Sequence, residues 1–200
     1  KMTGVFNIAV AQFAVQDEAG RLDPAGETGG RRMAESVARE LTATFADLPE
    51  VQVWYDTPEL KRDHNVVIGV VGPPPAPTLA DQAADDLNAD VVIFGDIRPA
   101  GDQADLSLRL YLRPQYGADF TNMVGNYELT SRFPAFDVTD PREDVLRELR
   151  PLASAAVLVT LGLRQEIIGE QAAALASFER AAVEAPDSDV IQYFLGQEHL

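Results

Sequence analysis

The dipeptide Leu161-Gly162 recurs as Leu195-Gly196, 34 residues later, and the residues between fit a pair of packed helices. Gly169 falls where an inter-helix turn needs a left-handed residue, which glycine adopts at least cost. Ala174, Phe178 and Ala181 step by four and then three, so they share one helix face. Pro186 follows where a helix is expected to stop. Small residues on either side of a ring let two helices approach closely, and the ring fills the space between them. An ordinary amphipathic hairpin accounts for the alanines but not for the spacing of the two Leu-Gly pairs.

The 34-residue period resembles a tetratricopeptide-type repeat, complete over AAVLVTLGLRQEIIGEQAAALASFERAAVEAPD and reopened by SDVIQYFLGQEHL. Two departures stand out. Gln165 takes the place of the usual aromatic in the first helix, and Leu158 that of the usual large residue four before the glycine. Both fit a first unit that caps the array and packs on what precedes it. The resemblance implies a docking surface rather than chemistry, with the first helix of each unit lining the concave face. It makes Val159, Leu163, Glu166, Tyr193 and Gln197 the expected partner-binding residues. The alternative for Val159 and Leu163 is burial against the preceding domain. A solenoid needs about three repeats for a continuous core, so a piece of a longer protein is expected.

The 200 residues suit one α/β domain plus the start of an array, and 46% apolar content is enough for a core. Net charge is −16, with the acids spread along the chain. That field disfavours nucleic-acid binding and direct contact with anionic membranes. Absence of cysteine removes disulfides, thiol nucleophiles and thiolate metal sites. No window approaches the roughly 20 apolar residues of a membrane span. Lys1 before Met2 suggests that position 1 is not the natural start, which leaves room for a membrane anchor upstream.

Along residues 1–140 the pattern is that of a small mixed-sheet α/β domain. Strands are expected at 5–13, 51–55, 66–71, 90–97, 106–112 and 125–133, with the proline-rich stretch through Pro77 as a stiff connector. Helices are expected at about 31–47, with Met33, Val37, Leu41 and Phe45 inward, and at about 79–88 after an N-cap at Thr78, with Leu79, Ala83, Ala84 and Leu87 inward. Residues 56–65 read as charged and exposed. A connecting segment over 141–154, helical from about Pro141 and interrupted at Pro151, leads to helical repeat units at 155–200.

The opening strand Asn7-Ile8-Ala9-Val10-Ala11-Gln12-Phe13, the segment Ala89-Asp90-Val91-Val92-Ile93-Phe94-Gly95 and the hairpin after it resemble the TolB-type amino-terminal α/β domain. They are also similar to FlgO-like domains found ahead of tetratricopeptide repeats in large, membrane-anchored bacterial signalling proteins. The resemblance implies an interaction or sensing module and carries no catalytic residues with it. It places the chain in a bacterium, with extracytoplasmic and cytoplasmic locations both open.

Catalytic material is sparse. His64 and His199 lack ligand spacing and read as solvated. Asp81, Asp85, Asp86 and Asp90 cluster without a metal-loop pattern, and a solvated face is the simpler reading. Gly29-Gly30 with Arg31-Arg32 could receive an anion at a helix start but lacks nucleotide-loop spacing. No cofactor is expected. A small ligand would sit at the carboxyl ends of parallel strands, at Phe13–Gln16, Tyr55–Asp56 or Gly95–Asp96. Two functions remain: a non-enzymatic scaffold whose repeat groove binds a protein or peptide, and a small-ligand receptor whose repeats relay the signal.

Overall fold

A computed structural model of the chain describes residues 1–49, 51–72, 77–100, 103–113, 125–134 and 150–198. The first strand, β1 (Phe6–Val10), is buried at every position, as a strand covered on both faces must be. It pairs in parallel with β3 (Val51–Tyr55) on one side and with β4 (Val91–Ala100) on the other. Beyond β4 the sheet turns antiparallel through β5 (Gln103–Leu112) and β6 (Gly125–Pro134). The order is therefore β3-β1-β4-β5-β6, a mixed sheet.

The strand expected over 5–13 is broken. Val10 pairs with Ile93, but Ala14, at the start of β2 (Ala14–Val15), pairs with Asp96. Four residues on one side oppose three on the other, which is the signature of a bulge. At the break the backbone turns outward. Gln12 N–H reaches the Gly69 carbonyl at 2.8 Å, and Phe13 N–H reaches that of Gly30 at 3.3 Å. The 66–71 segment is not a strand; among the described residues its pairing with the sheet is an isolated bridge from Val70 to Gln12, and Val71 packs on the α3 face.

Helix α1 (Glu27–Thr44) starts four residues earlier than the sequence pattern suggests, after a 3-10 turn at Pro24–Gly26 capped by Asp23. Its Met33, Val37 and Leu41 stripe packs on one face of the sheet with Ile8, Val10, Ile93, Leu108 and Leu110. A helix that the pattern did not anticipate, α2 (Pro58–His64), follows β3. Thr57 Oγ1 accepts the Leu60 N–H, Pro58 occupies the first turn, and Asn65 closes the helix with φ 53°. Helix α3 (Pro77–Leu87) covers the other face with Ala80, Ala84 and Leu87 against Ala9, Val92 and Phe94. It begins at Pro77, so Thr78 lies inside its first turn rather than at its cap, and the connector ends before Pro77. Leu79 is exposed, because the inward stripe runs through Ala80 instead.

After residue 149 comes α4 (Arg150–Ile167), then α5 (Gln171–Glu184) and α6 (Asp189–Glu198). Pro151 is the second residue of α4 as described, and the interruption expected there falls partly on residues outside the described ones. The boundary expected at 154/155 falls within α4; the helix expected from Pro141 lies outside the described residues. Gly169 makes the turn to α5 at φ 81°. The three helices share one core with the α1 face of the sheet, so hairpin and α/β layers are joined by continuous packing.

Candidate functional site

In a sheet ordered β3-β1-β4 the chain reverses its winding at β1, and a crevice is expected between the carboxyl ends of β1 and β4. Here that crevice is closed. Strand β2 continues the pairing with β4 past the bulge. The Phe13 ring lies over Gly95, where any Cβ would run into it and into the Ser107 carbonyl. The missing side chain of Gly95 therefore makes room for Phe13 rather than for a ligand.

Asp96 is spent on structure as well. It is 1% exposed and forms ion pairs with Arg109 and, at 2.9 Å, with Arg98. Gln16 donates to the same carboxylate at 3.3 Å. Arg109 also reaches Glu128 on β6 at 3.1 Å. This chain of charges crosses three strands on the face opposite α1 and is internally paired. Of the three strand ends named from the sequence, Gly95–Asp96 and Phe13–Gln16 are thus filled.

The third end is open. A cleft of about 800 Å³ lies at the carboxyl ends of β1 and β3. Gln12 lines it from the bulge, Arg31 and Glu27 from the first turns of α1, Tyr55 from the end of β3, and Lys61 from α2. Gln12 is buried, and its Nε2 donates to the Glu27 carbonyl at 3.0 Å, fixing the amide. Asp56 braces the outer wall: its two carboxylate oxygens accept the N–H groups of Ile68 and Gly69 at 2.7 and 2.8 Å. That clamp holds Val66 and Val67 across from α1. The bulge makes the cleft, since it swings Gln12 off the β4 side and towards α1.

Gly29 and Gly30 are in the first turns of α1, not in a loop before it. A Cβ on Gly30 would strike the Phe13 carbonyl. Gly30 thus serves close packing of the bulge on the helix.

The helical unit uses its expected surface differently. Val159 and Leu163 are 0% and 2% exposed, inside the core shared with the sheet. They take the burial alternative and present no surface to a partner. Tyr193 is 38% exposed, and its ring lies 6.4 Å from that of Tyr127 on β6. Glu166 is partly buried near the end of α4, with Oε2 enclosed and unpaired among the described residues. Gln197 lies in the last turn of α6. The side of the helices expected to line a groove is, at Val159, Leu163 and Tyr193, the side set on the sheet.

Other candidates resolve simply. His64 lies against Trp54 with ring centroids 4.7 Å apart and planes tilted by 32°, and His199 lies outside the described residues. Asp81 accepts the Tyr111 hydroxyl, Asp85 pairs with Arg113 at 2.8 Å, and the buried Asp90 accepts the Asn7 N–H at 2.6 Å. Burial and the Asp81 carboxylate both push the Tyr111 phenol well above its ordinary range. No group of three metal-ligating side chains occurs among the described residues. No helix among them is long and apolar enough to cross a membrane.

No family model and no curated protein matches the chain. Among solved structures it is similar to lipoprotein GNA1162 from Neisseria meningitidis, with 13% identity and a TM-score of 0.40 over 76% of this chain and 95% of that one. It is also similar to the LpoB C-terminal domain from Salmonella enterica, with 13% identity and a TM-score of 0.34 over 67% of this chain and 86% of that one. Protein VC0702 from Vibrio cholerae shows 14% identity and a TM-score of 0.32 over 97% and 98% of the two chains.

Proposed function

We propose that the chain is a non-enzymatic sensing module of a larger bacterial protein. It receives a small ligand in the cleft between β1, β3, α1 and α2. The helices α4–α6, read as the start of a tetratricopeptide-type array on a TolB-type domain, relay the bound state. The observation that carries this reading is the contrast between two surfaces. The cleft is open and lined by groups from several elements, with Gln12 and Asp56 held by backbone partners, whereas Val159 and Leu163 are core residues. A ligand that tightens α1 is positioned to act on α4, because Met33, Val37 and Leu152 meet in one core. The described lining offers carboxylates, two cations and an oriented amide, groups suited to holding a polar ligand.

The scaffold reading survives on the outer side of the helices. Val183 and Ile168 are exposed there and could seat a protein partner. Amide hydrogen exchange separates the two. Adding the small-molecule fraction of a cell extract to the full chain should slow exchange over 27–35 and 55–68. Slowing only over 168–193, and only with the protein fraction, would favour the scaffold.

A further inference from the structure

We infer that the ligand of the cleft is a short zwitterionic peptide, bound through its free carboxylate and its free amine; this rests on the cleft being the binding site. The inference comes from which lining charges are already satisfied. Asp56 spends one acceptor site of each oxygen on a backbone N–H group, keeping its charge, and Glu35 pairs with Arg39 at 3.5 Å. Arg31, Lys61 and Glu27 form no ion pair among the described residues, and Glu59 acts on Arg62 of its own helix only through the field, without a paired contact. Groups of both signs therefore face the cleft, four carboxylates and two cations in all, so neither a bare anion nor a polycation matches its whole lining.

A purely anionic ligand would meet Glu27 and Glu59 as well as the overall negative field. A polycation would have to lie beside Arg31 and Lys61. A molecule bearing one charge of each sign avoids both penalties and gains a charge-assisted contact at each end. Gln12 adds direction. One N–H of its amide is committed to the Glu27 carbonyl, which fixes the orientation and leaves the acceptor Oε1 beside the second N–H. An acceptor next to the Glu27 end suits an ammonium or a peptide N–H. A volume of about 800 Å³ exceeds a single ion or amino acid and lies within the range of pockets that hold drug-sized molecules. Tyr55, Val66 and Val67 give it apolar wall for side chains.

The test titrates the full chain with a random tripeptide pool with free termini, followed by backbone amide NMR. The same pool is then used N-acetylated and C-amidated. The free pool should bind saturably and shift signals around Gln12, Arg31 and Lys61. Each blocked pool should bind roughly tenfold more weakly, the scale of one charge-assisted hydrogen bond. Arg31→Gln should weaken the free and acetylated pools but not the amidated one, and Glu27→Gln should do the converse. Blocked and free pools binding equally overturns the zwitterion. If the free pool leaves cleft signals unmoved while the small-molecule extract moves them, the peptide fails and the cleft stands. If the pool binds with shifts confined to other elements, both fail.

Discussion

The ring of Phe178 on α5 lies on Gly162 of α4, so closely that a Cβ there would meet three of its carbons within 2.8 Å. Phe178 is wholly buried, stacked on Phe194 of α6 with centroids 5.1 Å apart. One glycine thereby sets how closely α4 and α5 approach, and one ring links all three helices.

Gly162→Ala should overpack this contact and cost about 1–3 kcal/mol. Ala174→Leu, at another fully buried site, should do the same. Gly196 is the control, because a Cβ there meets nothing within 4 Å. Gly196→Ala should be neutral or gain up to about 1 kcal/mol from helix propensity. Urea unfolding of the variants checks all three, and equal effects at 162 and 196 would refute the close approach.

The bulge makes a second prediction. In Gly30→Ala the new methyl group opposes the Phe13 carbonyl, which is backbone and cannot swing aside. Stability should fall by about 1–3 kcal/mol, and exchange of amides near Gln12 should accelerate. Unchanged exchange there would mean that α1 does not hold the bulge.

Asp96 tests the paired-charge network. Removing it as Asp96→Ala leaves the largely buried Arg109 with the exposed Glu128 as its remaining partner, and should cost about 3 kcal/mol, the low end for a broken buried pair. The double variant Asp96→Ala/Arg109→Leu should recover part of that loss in denaturant titrations. Additive losses would show that the two charges are not coupled.

Tyr127 gives a pH signature. Burial first, and the neighbouring Tyr193 second, push its phenol up to about 12. The folded state therefore favours the neutral ring. Its contribution to stability is complete below about pH 10, the ordinary tyrosine value, and is lost as pH rises through the folded value. In absorbance titrations one tyrosine of the folded chain should ionise near pH 12, and that step should vanish in Tyr127→Phe. All tyrosines ionising near pH 10 in the folded chain would contradict this.

Much of the sheet was legible because its strands carry strong patterns. Val51–Tyr55 has the bounds the sequence indicates, and Leu106, Leu108 and Leu110 alternate into the core as expected. Phe178 between two buried alanines was equally plain. The bulge was not, since FNIAVAQF is apolar throughout and hides a register change that depends on β4. Helix α2 was missed because its charges mask it, although Thr57-Pro58 at its start carried a cap signal. Among candidate sites, Tyr55–Asp56 was correctly placed at an open strand end, while Gln12 went unnoticed as part of a strand. Its role appears only when the bulge turns it towards Glu27. At Val159 and Leu163, helical spacing marks an apolar face but does not say whether a groove or a sheet covers it.

The most direct measurement uses the absence of cysteine from the chain, which makes any introduced thiol unique. Val67→Cys places one at the cleft, and Val183→Cys places one on the outer face of α5; both positions are exposed. Labelling rates are compared with and without the small-molecule fraction of a cell extract. The account predicts protection at position 67 and none at 183. Protection at 183 alone, produced only by the protein fraction, would contradict it and return the function to the helices.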